Sequence, residues 1–457
     1  MVQALILIPA LIAIGMLNAS PAARVMLKVY VPCMMIIPMY LQFRMGGLFL
    51  NVTSVVTLFL ALIGFYAWYG TLKLTLLDMC IVLNTFSAFY ADAHRHDLKI
   101  SIYAFCLIVS KTLFPYVIGR TLIEQTGMRK QFAKTLVLCL AVVSLVSLWE
   151  YRMEKNPFQT FVERLTHEPS GWGIMTRWGF GRIAGPYGHA ITAGMIFSTG
   201  LLLQLWLFGT GSWNSSKFLR FFRSRRKPLY LTLVMCMGLF MTQSRGPWIG
   251  CGFGLIVASI GFSRNRRRAA IIAVSGLVVA ITIAGVALNK YTDVDETKTT
   301  DRDQLNASYR RNLIATYRPL IDQGGLWGWG TPELASNGTV GYSKDQTSID
   351  NEYIRVAMWQ GYVGVFLFVS MELLAIWQLI KLCISLRNRE DILFCYCLLG
   401  AIVASAFSLT TVYLGDPMMQ ILFLMFGWAM SIRPTRSVEE IQVPLATGKY
   451  AFQRVFA

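Results

Sequence analysis

A short turn containing an arginine separates two apolar segments near the middle of the chain. It reads Ser-Arg-Gly-Pro at residues 244–247, and Gly246 and Pro247 suit a turn that starts a helix. A guanidinium group presents a planar fork of donors that matches phosphate oxygens. The turn therefore predicts one of two roles for Arg245. It either extends towards lipid headgroups or binds an anion at a membrane surface.

Two further arginines, Arg310 and Arg311, lie in a polar stretch downstream of this turn. Apolar residues between 313 and 321 follow a helical period, so a helix is predicted over 308–322, disturbed near its end by a proline. The glycine-rich segment 324–330, which contains Trp329, ends that helix and offers backbone amides. Taken alone, an arginine pair on such a helix is typical of a solvated face.

An acidic stretch precedes a later apolar segment. Asp350, Asn351 and Glu352 stand at its start, where polar residues commonly cap a helix and acids favour the helix dipole. Capping of the helix that follows can account for both acids.

Arg182 and His189 lie in the segment Gly-Arg-Ile-Ala-Gly-Pro-Tyr-Gly-His at residues 181–189. Arg182 is another candidate anion contact, whereas His189 is interpreted as a packing or interfacial residue. The chain has four histidines and nine cysteines, and none of them stands at the spacing of a metal site. The cysteines are interpreted as small apolar residues in helix packing. We therefore expect neither a metal ion nor a cofactor.

The elements that must position these residues are membrane helices. Of the 457 residues, 55% are hydrophobic and 14% are charged, whereas soluble proteins carry about a quarter charged residues. Apolar runs long enough to cross a ~30 Å hydrocarbon core predict an all-α polytopic protein with about 12–13 transmembrane helices. The predicted spans are 2–18, 26–42, 48–68, 76–91, 100–118, 134–149, 187–208, 229–243, 247–262, 269–289, 353–380, 392–413 and 417–432.

The charge distribution predicts the orientation. Basic residues crowd the short loops 217–227, 264–268 and 381–389, and such loops are typically cytoplasmic. The net charge of +18 therefore indicates loop orientation rather than binding to nucleic acid. Five regions follow: N-terminal helices (1–150), a smaller periplasmic loop (151–186), central helices (187–289), a large periplasmic loop (290–351), and C-terminal helices with a cytoplasmic tail (352–457).

The order of these motifs resembles the O-antigen ligase and O-antigen polymerase superfamily of bacterial envelope glycosyltransferases. The resemblance covers about residues 175–370. It comprises the Arg-Ile-Ala-Gly-Pro-Tyr segment, the Ser-Arg-Gly turn, the loop arginines before Gly-Trp-Gly, and an acidic-Asn-x-Tyr-Ile stretch leading to Gln-Gly-Tyr-Val-Gly. It implies a glycosyltransferase C-like membrane fold. The family's essential arginines fall on Arg245 and Arg310, with Arg311 as the near alternative.

The resemblance further implies a function. Family members transfer a glycan from an undecaprenyl pyrophosphate carrier to an acceptor hydroxyl at the periplasmic face of the bacterial inner membrane, without nucleotide sugar or metal. The implied partners are that donor, a glycan or lipid-linked acceptor, membrane lipid and a polysaccharide chain-length regulator. Catalytic roles are implied for Arg245, Arg310 and Asp350. Substrate-binding roles are predicted for Arg311, Arg182, Asn351, Trp329 and Glu352.

The chain departs from the ligases at one position. Where they carry a His-Asn pair, it has Asp350-Asn351. Because the ligase histidine is regarded as the group that activates the acceptor hydroxyl, this change favours polymerisation of exopolysaccharide or O-antigen repeats with Asp350 as base. The alternatives are a ligase that uses lipid A core or another acceptor, a non-catalytic relative, and a lipid-linked sugar transporter or flippase.

Overall fold

The computed structural model describes residues 2–45, 48–69, 73–124, 126–167, 173–215, 227–292, 302–331 and 349–433. Within these residues the chain is almost entirely helical, as predicted. The α-helices are α1 (Val2–Leu17), α2 (Ala22–Val25), α3 (Val31–Ile36), α4 (Val52–Tyr69), α5 (Leu76–Arg95), α6 (Leu98–Lys111), α7 (Leu113–Ile118), α8 (Arg129–Met153), α9 (Pro157–Thr166), α10 (Ala190–Gly209), α11 (Lys227–Met241), α12 (Arg245–Phe262), α13 (Arg266–Thr292), α14 (Arg302–Gly324), α15 (Glu352–Ser385), α16 (Arg389–Leu409) and α17 (Asp416–Ser431).

Several shorter elements connect these helices. Two π-helical turns, Met26–Tyr30 and Gly119–Ile123, join α2 to α3 and extend α7, and two 3-10 turns lie at Gly185–Tyr187 and Ser212–Ser215. The strands β1 (Gln42–Met45) and β2 (Leu48–Asn51) form one antiparallel hairpin, and β3 (Thr176–Arg177) and β4 (Phe180–Gly181) form another.

Eight of the described helices are long and apolar enough to cross a membrane, which confirms a multi-pass membrane protein. They span Val52–Tyr69, Leu76–Arg95, Leu98–Ile123, Arg129–Met153, Ala190–Gly209, Arg245–Phe262, Glu352–Ser385 and Arg389–Leu409. The span Leu98–Ile123 comprises α6, α7 and the π-helical turn that extends α7. Shorter apolar helices occupy Ile6–Leu17 and Pro228–Met241. Helices α13 and α17 coincide with two further predicted spans.

One predicted span ends earlier than expected. The segment 26–42 was predicted to be helical throughout, but helix α3 ends at Ile36 and Ile37 is already extended, with φ −77° and ψ 128°. The cause is Pro38, because a proline disfavours helical geometry at the residue before it. The chain then turns into the hairpin of β1 and β2.

Small residues allow close packing between α12 and α16. A Cβ atom added to Gly254 would lie 2.7 Å from the carbonyl oxygen of Gly400, and one added to Gly250 would lie 2.5 Å from that of Ala404. Small side chains of this kind let membrane helices approach each other closely. This contact fixes the position of α12, whose first residue is Arg245.

The helix predicted over 308–322 is present as α14. It begins earlier, at Arg302, and continues past Pro319 to Gly324. Leu313 and Tyr317 are buried in a small apolar cluster together with Ile354 at the start of α15. The predicted apolar period therefore corresponds to the face that packs on α15.

A turn after α14 docks onto a break in α15. Gly361 lies inside α15 with φ 65°, a left-handed conformation that favours glycine. The backbone N–H of Tyr362 donates to the carbonyl oxygen of Gly325 at 3.3 Å, and that of Gly330 donates to the carbonyl oxygen of Trp359 at 2.9 Å. The turn thus supplies partners for backbone groups on both sides of the break.

Candidate functional site

A cavity of about 1070 Å³ lies where α10, α12 and α15 begin. Five arginines contribute to its wall, and they come from four separate parts of the chain. Among the lining residues are Arg177, Arg182, Arg245, Arg310, Arg355, Glu150, Asp350, His189, Tyr40, Trp359 and Tyr413. The cavity thus brings together four predicted site residues: Arg182, Arg245, Arg310 and Asp350.

Arg245 is the first residue of α12 and is exposed towards the cavity. Its helix starts abruptly because residues 242–244 form the tight turn after α11. Ser244 in that turn is buried. The sequence prediction of a short arginine-bearing turn between two apolar helices is therefore met by the geometry.

The hairpin of β3 and β4 holds this turn through two arginines. Arg177 donates from Nη1 to the carbonyl oxygen of Gln243 at 2.7 Å. Arg182 donates from Nε to the carbonyl oxygen of Thr242 at 3.2 Å and from Nη2 to Oγ of Ser244 at 2.9 Å. The accepting oxygens belong to the turn that directly follows α11, next to the helix C-terminus, where the helix dipole favours cations.

The electrostatic environment of Arg182 is strongly positive. Burial lowers the pKa of its guanidinium to about 10, and the charges of Arg177 and Arg310 act in the same direction. Several positive charges therefore face the same volume. Such a volume favours an anion, because a negative ligand would relieve the repulsion.

Arg310 and Asp350 form an ion pair inside the cavity. Nη2 of Arg310 lies 3.2 Å from Oδ2 of Asp350, and the two side chains are 43% and 25% exposed. Arg310 comes from α14, whereas Asp350 directly precedes the start of α15. The packing of α14 on α15 is what brings together two residues forty positions apart.

Asn351 and Glu352 shape the start of α15 and do not line the cavity. The side-chain oxygen of Asn351 accepts from the backbone N–H of Ile354 at 3.1 Å, and its Nδ2 donates to the carbonyl oxygen of Thr410 at 2.8 Å. Glu352 is buried, accepts from the backbone N–H of Leu414 at 2.7 Å and pairs with Arg355. Both residues orient the helix that follows Asp350.

Arg311 and Trp329 also stand outside the wall of the cavity. Nη1 of Arg311 donates to Oγ1 of Thr292 at 3.0 Å, at the end of α13. Nε1 of Trp329 donates to the carbonyl oxygen of Leu320 at 2.8 Å, and the guanidinium of Arg95 lies 5.0 Å from the ring centroid of Trp329. The substrate contacts predicted for these two residues remain predictions.

Arg177, His189 and Arg355 also line the cavity, although none of them was selected from the sequence as a site residue. Arg177 stands in a short hairpin without a recognisable motif, and His189 was interpreted as a packing residue. Arg355 follows Asp350 on the first turn of α15, and its guanidinium lies 4.6 Å from the ring of Trp359 and 5.5 Å from that of Tyr413. Its position one turn after Asp350 was the one signal that could have indicated it.

Glu150 is the second acid at the cavity, and its carboxylate is engaged in hydrogen bonds to nearby groups of the protein. Its carboxylate accepts from the N–H groups of Ala184 at 2.8 Å and Gly185 at 2.9 Å, and from Nδ2 of Asn156 at 3.0 Å. These bonds anchor the segment between Arg182 and His189 to the end of α8. Glu150 therefore acts on the site by positioning that segment.

The donors of the site suit an anion. Arginine side chains donate hydrogen bonds and carry positive charge, which fits phosphate oxygens. Across the described ranges, no group of three or more His, Cys, Asp and Glu residues is arranged to hold a metal ion. The carboxylate of Asp350 adds a proton acceptor beside this anion site.

Comparison with known proteins points to the same chemistry. The model of the O-antigen ligase family matches residues 230–369, a segment that contains Arg245, Arg310 and Asp350. A search of curated proteins gives no match. The matched segment begins after Arg182 and His189, so the resemblance around those residues stays a prediction. Over residues 230–369, the chain is similar to the O-antigen ligase and O-antigen polymerase superfamily.

Proposed function

We propose that the protein transfers a glycan from an undecaprenyl pyrophosphate carrier to a hydroxyl group of an acceptor glycan, and so polymerises exopolysaccharide or O-antigen repeats. The observation that carries the proposal is the convergence of Arg245, Arg310 and Asp350 on one cavity. Groups that act on one pyrophosphate-linked sugar must converge in this way. A transporter would not require such a constellation.

The arginines account for the departure of the carrier. When the bond between the anomeric carbon and the pyrophosphate oxygen breaks, negative charge develops on that oxygen. Arg245 and Arg310 stand on the wall of the cavity, and Arg182 and Arg177 on the same wall hold the turn that precedes Arg245. Fixed positive groups at a developing anion lower the barrier, because they need no reorganisation during the reaction.

Asp350 serves as the base when the acceptor hydroxyl attacks the anomeric carbon. The acceptor oxygen forms the new bond to the anomeric carbon, and its proton passes to the carboxylate of Asp350. Arg310 is paired with that carboxylate at 3.2 Å, so one side chain links the base to the anion site. This arrangement places the base and the leaving group within one bound complex.

The charge distribution supports a site at the periplasmic face of the inner membrane. The basic loops 217–227, 264–268 and 381–389 follow α10, α12 and α15, whereas the cavity lies where those three helices begin. If the basic loops are cytoplasmic, the cavity opens on the outer side. Lipid-linked donors would reach it from the membrane.

The ligase remains the second candidate. Residues 230–369 match a family described as O-antigen ligase, whereas Asp350 stands where ligases carry a histidine. The two activities leave different intermediates. An inactive polymerase leaves single carrier-linked repeats, and an inactive ligase leaves long carrier-linked chains.

The test replaces the anion-binding arginines and compares products. Arg245→Ala or Arg310→Ala should lower polymer formation about 100-fold or more and cause single carrier-linked repeats to accumulate. Arg318→Ala is the matched control, because Arg318 is on the same helix as Arg310, is highly exposed and pairs only weakly with Asp322 at 3.9 Å. Carrier-linked glycans are extracted and sized by gel electrophoresis or mass spectrometry.

Normal polymer in both arginine variants, at wild-type membrane levels, would overturn the proposal. Accumulation of long chains in place of single repeats would replace polymerase with ligase. Purified protein in liposomes that moved carrier-linked glycan across the bilayer without forming glycosidic bonds would identify a flippase.

A further inference from the structure

His189 stands at the start of α10, on the wall of the cavity. Its backbone is extended, and its Nδ1 accepts a hydrogen bond from the backbone N–H of Ile191 at 3.1 Å. A ring nitrogen that accepts has no proton of its own, so the neutral imidazole carries its proton on Nε2. The start of α10 therefore fixes the tautomer of His189.

The imidazole stays neutral at physiological pH. Burial lowers the pKa of His189 to about 4, and the charge of Arg182 acts in the same direction, whereas Asp350 opposes them. The ring of Tyr413 stands with its centroid 5.8 Å from that of His189. A neutral imidazole with Nδ1 already accepting has Nε2–H as its donor and offers no basic nitrogen to a substrate.

His189 and Asp350 thus differ in hydrogen-bonding character within one cavity. Asp350 accepts, and it is paired with a cation, Arg310. His189 donates and carries no charge. The anionic part of a donor is matched by the arginines, whereas an uncharged N–H beside a carboxylate suits the oxygen of a sugar.

We propose that His189 positions the acceptor glycan by donating Nε2–H to a sugar oxygen bound beside Asp350. This inference rests on the proposed function and specifies its acceptor side. The acceptor hydroxyl passes its proton to Asp350 as its oxygen bonds to the anomeric carbon. His189 keeps its own proton throughout. The histidine of this cavity is therefore a substrate-binding group, and the base is the carboxylate.

Two substitutions separate this role from the capping of α10. In His189→Asn, the side-chain oxygen takes the place of Nδ1 and caps the helix, but no donor reaches the position of Nε2. In His189→Gln, the amide nitrogen reaches the position of Nε2, but the cap is lost. Asparagine is among the best helix caps, so the Asn variant should be the more stable of the two.

The experiment measures polymerisation of carrier-linked repeats by purified wild-type protein and both variants, together with their melting temperatures. We expect His189→Gln to keep activity within a few-fold of wild type, and His189→Asn to lose about tenfold in kcat/KM through a raised KM for the acceptor, the usual effect of one lost hydrogen bond. Activity and stability would then rank the two variants in opposite orders.

Equal or higher activity of His189→Asn would overturn the inference, because capping alone would then explain His189. This outcome is distinct from failure of the proposed function. That failure appears in the wild-type protein itself, as the absence of glycosidic bond formation from carrier-linked repeats, or as full activity of Arg245→Ala.

Discussion

Arginines at the two ends of the helices have different partners. At the start of α8, Arg129 pairs with Glu124 at 2.6 Å and with Asp391 at 2.5 Å. At the cavity, Arg177 and Arg182 donate to the backbone carbonyls of Gln243 and Thr242. Carboxylates neutralise a charge, whereas carbonyls orient a guanidinium and leave its net charge in place.

This difference indicates which arginines serve structure and which serve binding. Arg129 and its two acids form a closed group, with 16%, 11% and 13% of the side chains exposed. At the other end, five arginines line a cavity with Asp350 and Glu150, and Glu150 already accepts three hydrogen bonds. Among the described residues that line the cavity, arginines outnumber acids, and this excess favours an anionic ligand there.

The largest expected effect concerns the closed group. Arg129→Ala leaves Glu124 and Asp391 with much of their charge buried and unpaired. Removing one partner of a buried ion pair costs about 3–5 kcal/mol of folding free energy. We expect a marked fall in melting temperature and membrane level, measured in detergent by a thermal-shift assay, while the folded fraction keeps its specific activity.

The matched control is Arg129→Lys, which retains the charge and should recover part of the stability. An Arg129→Ala protein that remained stable but inactive would show that the two ends do not divide structure from binding as we infer.

The second effect concerns the cavity, and we expect it to lower catalytic activity more than stability. Arg182→Ala removes the donors to Thr242 and Ser244 and one positive charge beside the anion site. We expect kcat/KM to fall about 100-fold, as for the loss of a preorganised electrostatic donor. Stability should change less than in Arg129→Ala. Steady-state kinetics with purified protein measures the first quantity, and thermal unfolding measures the second.

Arg182→Lys provides the control for this prediction. Lysine keeps the charge but lacks the planar fork that contacts two groups at once, so it should restore activity only in part. If Arg182→Ala were as unstable as Arg129→Ala and normally active, Arg182 would be a structural residue and the contrast between the two ends would be lost.

At the cavity, the sequence predicted single local motifs better than the contacts between them. Arg245 was identified from a short turn between two apolar segments, whereas the roles of Arg310 and Asp350 were predicted from the resemblance to the O-antigen ligase family. Arg177 was missed because its role depends on a carbonyl of Gln243, sixty-six residues away. Hydropathy likewise predicted the position of α15 but not its break. The break depends on a distant turn, because the backbone N–H groups of Tyr362 and Val363 donate to the carbonyl oxygens of Gly325 and Leu326.

The acids at the start of α15 show the same limit. Asp350 and Glu352 are two residues apart and were both predicted to lie in the site. Asp350 lines the cavity, whereas Glu352 is buried against Leu414 and Arg355. Which of two nearby acids faces the cavity depends on the loop after α16, and residue type alone contains no such information.

The smallest expected effect tests whether burial, together with the charge of Arg182, keeps His189 neutral in the folded protein. Its pKa of about 4 in the folded protein lies below the model-peptide value of 6.5. As pH falls from 7.5 to 5.5, the unfolded chain binds a proton at this residue and the folded protein does not. The free energy of unfolding therefore falls as the pH is lowered, by about 1 kcal/mol over this interval from His189 alone.

His189→Asn has no titrating group here and provides the reference. Melting temperatures of wild type and variant at pH 7.5 and 5.5 should show a larger fall for the wild type, since other groups contribute equally to both. An equal fall would mean that His189 protonates in the folded protein as readily as in the unfolded chain. The imidazole would then carry charge beside Arg182 at pH 5.5, and neither burial nor that neighbouring charge would hold it neutral.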